Sequence, residues 1–292
     1  MDYVHPEALV STEWLAAHMD APDVRVVDAT LFLPGSDRDA DEEFEIRHIP
    51  GAVRFDVDKI ADTANPLPHM IPSPEKFSSM VRKLGLGDGS RIVLYDVFGG
   101  YCAAMRAWWM FRLFGHTDVA VLDGGLPRWG REKRPMEDGE TRPRERHFTA
   151  RQDHTLVRSW EQILANVDAG RETVIDARSA KRFVGQDPEP RPSKRNGHIP
   201  GSVNLPFPSL MDPKADFAMR SADEIKAAFD SAGIDLAKPL VASCGSGVTA
   251  CVIAFAAHLI GKDDVAVYDG SWAEWGDRTD LPAVTAEIAA AD

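Results

Sequence analysis

A chain of 292 residues with 44% hydrophobic content is long enough to bury two ordinary cores, so two domains are the default expectation. Its net charge of -13 disfavours nucleic acid and anionic membranes as partners, because neutralising phosphates requires clustered Lys and Arg. The 3 cysteines, Cys102, Cys244 and Cys251, form neither an even disulfide framework nor a metal-ligand spacing, which points to a reducing compartment.

In chain order, residues 1–12 carry acids and a proline where a secretory leader would place a basic region and then an apolar one, so a cytoplasmic protein is expected. Val26-Val27-Asp28-Ala29 reads as a buried strand, and a turn-rich segment with His48-Ile49-Pro50-Gly51 follows it. Helices are predicted over 74–84 and 103–114, with the strand Ile92-Val93-Leu94-Tyr95-Asp96 between them. Val121-Leu122-Asp123-Gly124-Gly125, with Trp129 beyond it, closes the first half. Residues 130–151, rich in Arg, Glu, Gly and Pro, read as a connector whose basic run 142–151 is solvated.

The second half repeats this order. Val174-Ile175-Asp176-Ala177 matches the first strand, His198-Ile199-Pro200-Gly201 the turn segment, and Val267-Tyr268-Asp269-Gly270-Ser271 with Trp275 the closing block. A further helix is predicted over 221–232. The apolar run 250–260 falls well short of the roughly 20 residues that span a bilayer, so it belongs in a core. Repetition of whole domains gives a first domain at 1–135, a linker at 136–155 and a second domain at 156–292. The alternation of strands and helices in each half predicts an α/β fold with a parallel sheet covered on both faces. His48 and His198 are assigned to structure, because both halves keep them.

The halves differ most where chemistry is expected. The segment 238–243 reads as a buried parallel strand, and Cys244-Gly245-Ser246-Gly247-Val248-Thr249 joins it to the helical run. A strand-loop-helix of this kind turns backbone N–H groups and a helix N-terminus toward the loop, which favours an anion such as the Cys244 thiolate. Gly245 and Gly247 are expected to supply backbone angles that other residues reach only with strain. The corresponding position in the first half is Asp96, so only the second half is armed. Cys251, two helical turns beyond Cys244, is expected to pack inside, and Tyr101 and Cys102 lie in the loop matching the cysteine loop.

These residues resemble the tandem-domain rhodanese family of sulfurtransferases over nearly the whole chain. The resemblance is carried by the two His-Ile-Pro-Gly blocks, by Trp108-Trp109-Met110-Phe111-Arg112, by Asp269-Gly270-Ser271-Trp272 and by the cysteine loop. It implies two rhodanese-like domains, the first inactive and the second catalytic. Members using thiosulfate carry basic residues after the cysteine, whereas members using 3-mercaptopyruvate carry the CGSGVT found here. The chemistry of the loop agrees: thiosulfate is a dianion, and a loop without Lys or Arg offers it amides but no countercharge. The resemblance further implies that Arg182 and Arg191 bind the substrate, alongside Gly245, Gly247, Val248 and Thr249 of the loop. Ser246, His69 and Asp58 would form a proton relay across the domain cleft, with Asp56 as an alternative acid. Sulfur would pass from a small-molecule donor to Cys244 as a persulfide, and then to a small thiol, thioredoxin or cyanide, with pyruvate released and no cofactor required.

Three rivals compete with this reading. A thiosulfate:cyanide sulfurtransferase could use the same scaffold. A cysteine-dependent phosphatase would need an arginine where this chain has Ala250. A non-catalytic binding module of the same family should have lost its cysteine, as the first half has.

Overall fold

The computed structural model describes residues 2–98 and 103–285. The first half builds a five-stranded sheet from β1 (Leu9–Val10), β2 (Val24–Asp28), β3 (Val53–Arg54), β4 (Arg91–Tyr95) and β5 (Val119–Leu122), in the order β1-β5-β4-β2-β3. The second builds another from β6 (Val157–Arg158), β7 (Thr173–Asp176), β8 (Val203–Asn204), β11 (Leu240–Ser243) and β12 (Ala266–Tyr268), ordered β6-β12-β11-β7-β8. Between β8 and β11 lies a short antiparallel pair, β9 (Met211–Asp212) and β10 (Ala218–Met219). Every pairing in the two large sheets is parallel, and their orders superimpose strand for strand. The repeat read from the sequence is therefore a duplicated fold. Its register is visible too: Asp28 pairs with Tyr95 and Asp176 with Ser243, so Asp96 and Cys244 occupy equivalent positions.

The central strands are apolar on both faces because helices cover both sides. All four residues of β11 are buried. The predicted helices form at Pro74–Lys83, Ala103–Leu113, Ala222–Ser231 and Ala250–Leu259, within two residues of the expected ends. Ser73 accepts a hydrogen bond from the Lys76 N–H at the start of the first, and Ser221 with Glu224 forms a capping box on the third.

The two remaining helices are the core of the molecule. A helix apolar all round must be enclosed, and in Ala250–Leu259 every residue except His258 is buried. It packs against Ala103–Leu113, its counterpart from the first half, with Trp108 and Phe255 edge to face at 4.9 Å. One continuous apolar cluster thus runs between the two sheets, and a smaller cluster lies on each outer face. Among the described residues no helix is long and apolar enough to cross a membrane.

The connector is tied down on one side only. The basic side chains of its run 142–151 are exposed, while Phe148 is buried among the aromatic rings Phe77, Phe111 and His116. His48 and His198 play the structural role expected of them. Each is buried, stacks on Phe44 or Phe183, and bonds that residue's carbonyl through Nδ1.

Phe255→Ala should cost about 3–5 kcal/mol of stability by opening a cavity between the helices. A urea titration measures it, and a loss below about 1 kcal/mol would show that the helix pair does not hold the domains together.

Candidate active site

Cys244 lies just beyond the carboxyl end of β11, where ligands bind in open α/β sheets. Its side chain is 2% exposed and borders a cavity of about 390 Å³ between the two domains. The segment after β12 holds the loop from outside. The Cys244 N–H donates to Ser271 Oγ at 3.1 Å, while Trp272 N–H donates to the Cys244 carbonyl at 3.0 Å and Ala273 N–H to that of Gly245 at 2.8 Å. Ser271 Oγ stands 4.0 Å from Cys244 Sγ. Carbonyls are thus occupied, whereas among the described residues no protein group accepts from the N–H groups of Gly245, Ser246, Gly247 or Val248.

Of the two loop glycines, the backbone requires only Gly247. Gly247 has φ +77, and a Cβ there would lie 2.6 Å from the Asp269 carbonyl oxygen. Gly245 is not among the positive-φ glycines, contrary to the expectation for both; a Cβ on it would instead approach Arg182 Nη2 to 2.7 Å. That atom is the end of a flexible side chain, so a Cβ there displaces the arginine rather than the backbone.

The first half shows what its matching loop binds. Asp96 is fully buried, and its carboxylate accepts from Phe98 N–H at 2.9 Å, Ala103 N–H at 3.2 Å and Ala104 N–H at 3.0 Å. An anion therefore occupies the amides at that helix start, supplied by the chain itself. A cavity of about 430 Å³ lies at the same end of this sheet, bordered by Asp28, Arg38 and Leu126, and no cysteine is among its described lining residues. Tyr101 and Cys102 lie outside the described residues.

The expected site residues converge from both domains. His69, Arg182, Arg191, Cys244, Gly245, Ser246, Val248 and Thr249 all border the 390 Å³ cavity, with Gly247 behind them in the same loop. Asp58 accepts from His69 Nδ1, and Arg191 Nη2 stands 2.6 Å from His69 Nε2. This pattern sets the tautomer: Nδ1 carries the proton and Nε2 offers its lone pair to the guanidinium. Ser246 shares the cavity but makes no side-chain hydrogen bond among the described residues, so the serine end of the expected relay is taken by Arg191. Asp56 is not a competitor, because its carboxylate caps the helix Val57–Ile60 through the N–H groups of Asp58 and Lys59. The His69 hydrogen bond, opposed by partial burial, holds the Asp58 carboxyl below its ordinary range.

Two residues not singled out in the sequence complete the arrangement. Arg106, fully buried in the middle of the Ala103–Leu113 helix, pairs with Asp269 Oδ1 at 2.7 Å. The same guanidinium donates to the Gly247 carbonyl at 3.2 Å and to the His69 carbonyl at 2.6 Å. One arginine from the first domain thereby holds the cysteine loop and the histidine together. His69 needs holding, since its φ of 59 is a conformation that side chains other than glycine seldom adopt. The signal was present: a charge in the middle of an apolar helical stretch whose other arginine, Arg112, lies in its last turn.

The other is Glu189, which closes a row of alternating charges. Asp176 at the end of β7 binds buried Arg178 at 2.6 Å, Arg178 binds Glu189 Oε1 at 2.6 Å, and Glu189 Oε2 accepts from Arg182. The sheet edge thus fixes the direction of Arg182. Cys251 stands apart from the cavity, its Sγ 3.3 Å from the Gly247 carbonyl. Burial pushes its thiol up to about 12.

The Rhodanese-like domain family model matches residues 11–132 and again 159–278. The chain belongs to this family and carries its domain twice. It is 44% identical to the human 3-mercaptopyruvate sulfurtransferase over 273 residues, covering 92% of this chain and 91% of that protein. It is 43% identical to the thiosulfate sulfurtransferase of Bos taurus, covering 93% and 92%. Among solved structures, SseA of Escherichia coli, described as a 3-mercaptopyruvate sulfotransferase, superimposes with a TM-score of 0.83 at 37% identity, covering 91% of this chain and 98% of its own.

Two outcomes follow from the geometry. Native protein treated with iodoacetamide at pH 8 should be alkylated at Cys244 and spared at Cys251, as read by peptide mass spectrometry; equal labelling would contradict the burial of Cys251. Arg106→Met should destabilise by about 3–5 kcal/mol by stranding the Asp269 carboxylate, and adding Asp269→Asn should recover part of the loss.

Proposed function

We propose that the chain is a sulfurtransferase that takes sulfur from 3-mercaptopyruvate through a Cys244 persulfide. The observation that carries this reading is the division of labour in one cavity: an uncharged cysteine loop on one side, Arg182 and Arg191 on the other. Relatives named for either donor match about equally well, so the choice of donor rests on the site. Glu189 already offsets Arg182, while Arg191 faces an imidazole. A monocarboxylate with an adjacent ketone suits that balance better than a dianion, and planar guanidinium groups match its paired oxygens.

The Cys244 thiolate attacks the substrate sulfur, the C–S bond breaks, and its electron pair leaves on the enolate of pyruvate. Arg182 and Arg191 hold the carboxylate and ketone oxygen and stabilise the charge that develops there. Once Arg191 turns to the carboxylate, His69 Nε2 is free to take the thiol proton and return it to the enolate carbon, while Asp58 fixes the ring through Nδ1. Ser246 lies in the same cavity, placed to hydrogen-bond substrate sulfur or ketone. The loop amides stabilise the persulfide, as the equivalent amides do the Asp96 carboxylate. A thiol, reduced thioredoxin or cyanide then accepts the outer sulfur, leaving the Cys244 thiolate.

Steady-state kinetics with both donors test this. The expected result is a higher kcat/KM for 3-mercaptopyruvate than for thiosulfate, with no pyruvate release by Cys244→Ser. Arg191→Ala should lower kcat/KM for 3-mercaptopyruvate by about 10- to 100-fold, the effect of one charge-assisted hydrogen bond of roughly 1.5–3 kcal/mol. A preference for thiosulfate would overturn the assignment of the donor.

A further inference from the structure

Away from the catalytic cavity, three side chains that offer metal-ligand chemistry meet where the first segment of the chain crosses the second domain. Val4 N–H donates to the Leu259 carbonyl at 2.8 Å, which lays residues 4–7 against the end of the Ala250–Leu259 helix. His5 then stacks on His258, ring centroids 4.2 Å apart and 2° from parallel. Asp263 faces both rings, accepting from His258 Nδ1 through Oδ1 and standing 3.3 Å from His5 Nε2 through Oδ2. All three residues offer ligand atoms within 4.8 Å of one another.

We propose that His5, His258 and Asp263 form a binding site for a divalent transition-metal ion of the zinc class. Two imidazoles with one carboxylate select such ions over calcium or magnesium, which take oxygen ligands. The ion would replace the hydrogen-bonded proton that now joins His258 to Asp263 and would sit between that carboxylate and His5 Nε2. Zinc–nitrogen bonds of about 2.0–2.1 Å require the ligand atoms to close to about 3.3 Å, and because an ion lies in the plane of each imidazole that binds it, the two parallel rings must rotate out of their stack to share one. Three protein ligands leave the fourth position to water.

The surroundings are those of a ligand site rather than of an isolated ion pair. His5 Nδ1 lies 3.1 Å from Glu7 Oε1, so a carboxylate orients the ring whose Nε2 faces the site. The His258 side chain is 12% exposed and packs on Trp108, which also carries Arg112 stacked at 4.8 Å. A bound ion ties the segment preceding β1 to the helix whose opposite end carries the cysteine loop.

The test is calorimetric titration of the full chain with zinc chloride at pH 7.5, in a Cys244→Ser background that removes the catalytic thiol as a competing ligand. The expected result is one saturable site, weakened at least tenfold by His5→Ala and by Asp263→Asn, and about tenfold by Glu7→Gln. Zinc should also raise the thermal unfolding midpoint of the parent and not of His5→Ala. Asp263 is 52% exposed, so its substitution reports on the ion even if His5→Ala loosens the segment. Equal zinc affinity in the parent and both ligand variants would overturn the proposal, as would the absence of saturable binding up to millimolar zinc.

Discussion

The active site depends on burying the helix Ala250–Leu259 against its counterpart Ala103–Leu113. A helix with apolar residues on every side is stable only when enclosed, and the second domain alone covers only part of it. The first domain supplies the rest, with Trp108 meeting Phe255 at the centre of the contact. That packing brings Arg106 into an interior where a cation is tolerated only with a partner, and Asp269 provides one. Because the same arginine also bonds the Gly247 and His69 carbonyls, the hydrophobic contact between domains and the geometry of the site are one constraint.

Duplication explains both the symmetry and its loss. Two sheets of identical order present equivalent loops at the carboxyl ends of β4 and β11. In the first, the Asp96 carboxylate satisfies amide donors at the helix start, which leaves no place for a transferred anion. In the second, the Cys244 side chain stands at that position, and among the described residues no protein group accepts from the loop N–H groups. The first half nevertheless reaches the cavity beside Cys244: His69 borders it, held by Asp58 and by Arg106.

Charge in the cavity is arranged by neighbours rather than by the loop. The row Asp176, Arg178, Glu189 and Arg182 runs from the sheet to the cavity wall and holds the last arginine over Gly245. Such alternation keeps each buried charge paired, which a low-dielectric interior demands. Arg191 is directed instead at His69, with the Asp58 charge behind the ring.

The amino-acid sequence by itself determined the duplicated parallel fold, the helix positions, the anion-favouring cysteine loop and the pairing of an armed with a disarmed half. These are local properties: periodicity, strand composition, glycine placement and the identity of one residue at a repeated position. That Arg182, Arg191 and His69 would meet beside Cys244 was legible only through the family resemblance, since they lie far apart in the chain. Tertiary structure decided that Asp58 rather than Asp56 bonds His69, that Arg191 occupies the position expected of Ser246, and that Arg182 passes over Gly245. It alone placed Arg106 and Glu189, because a buried charge is defined by partners far away in the chain: Arg106 meets Asp269 only after the two domains have packed.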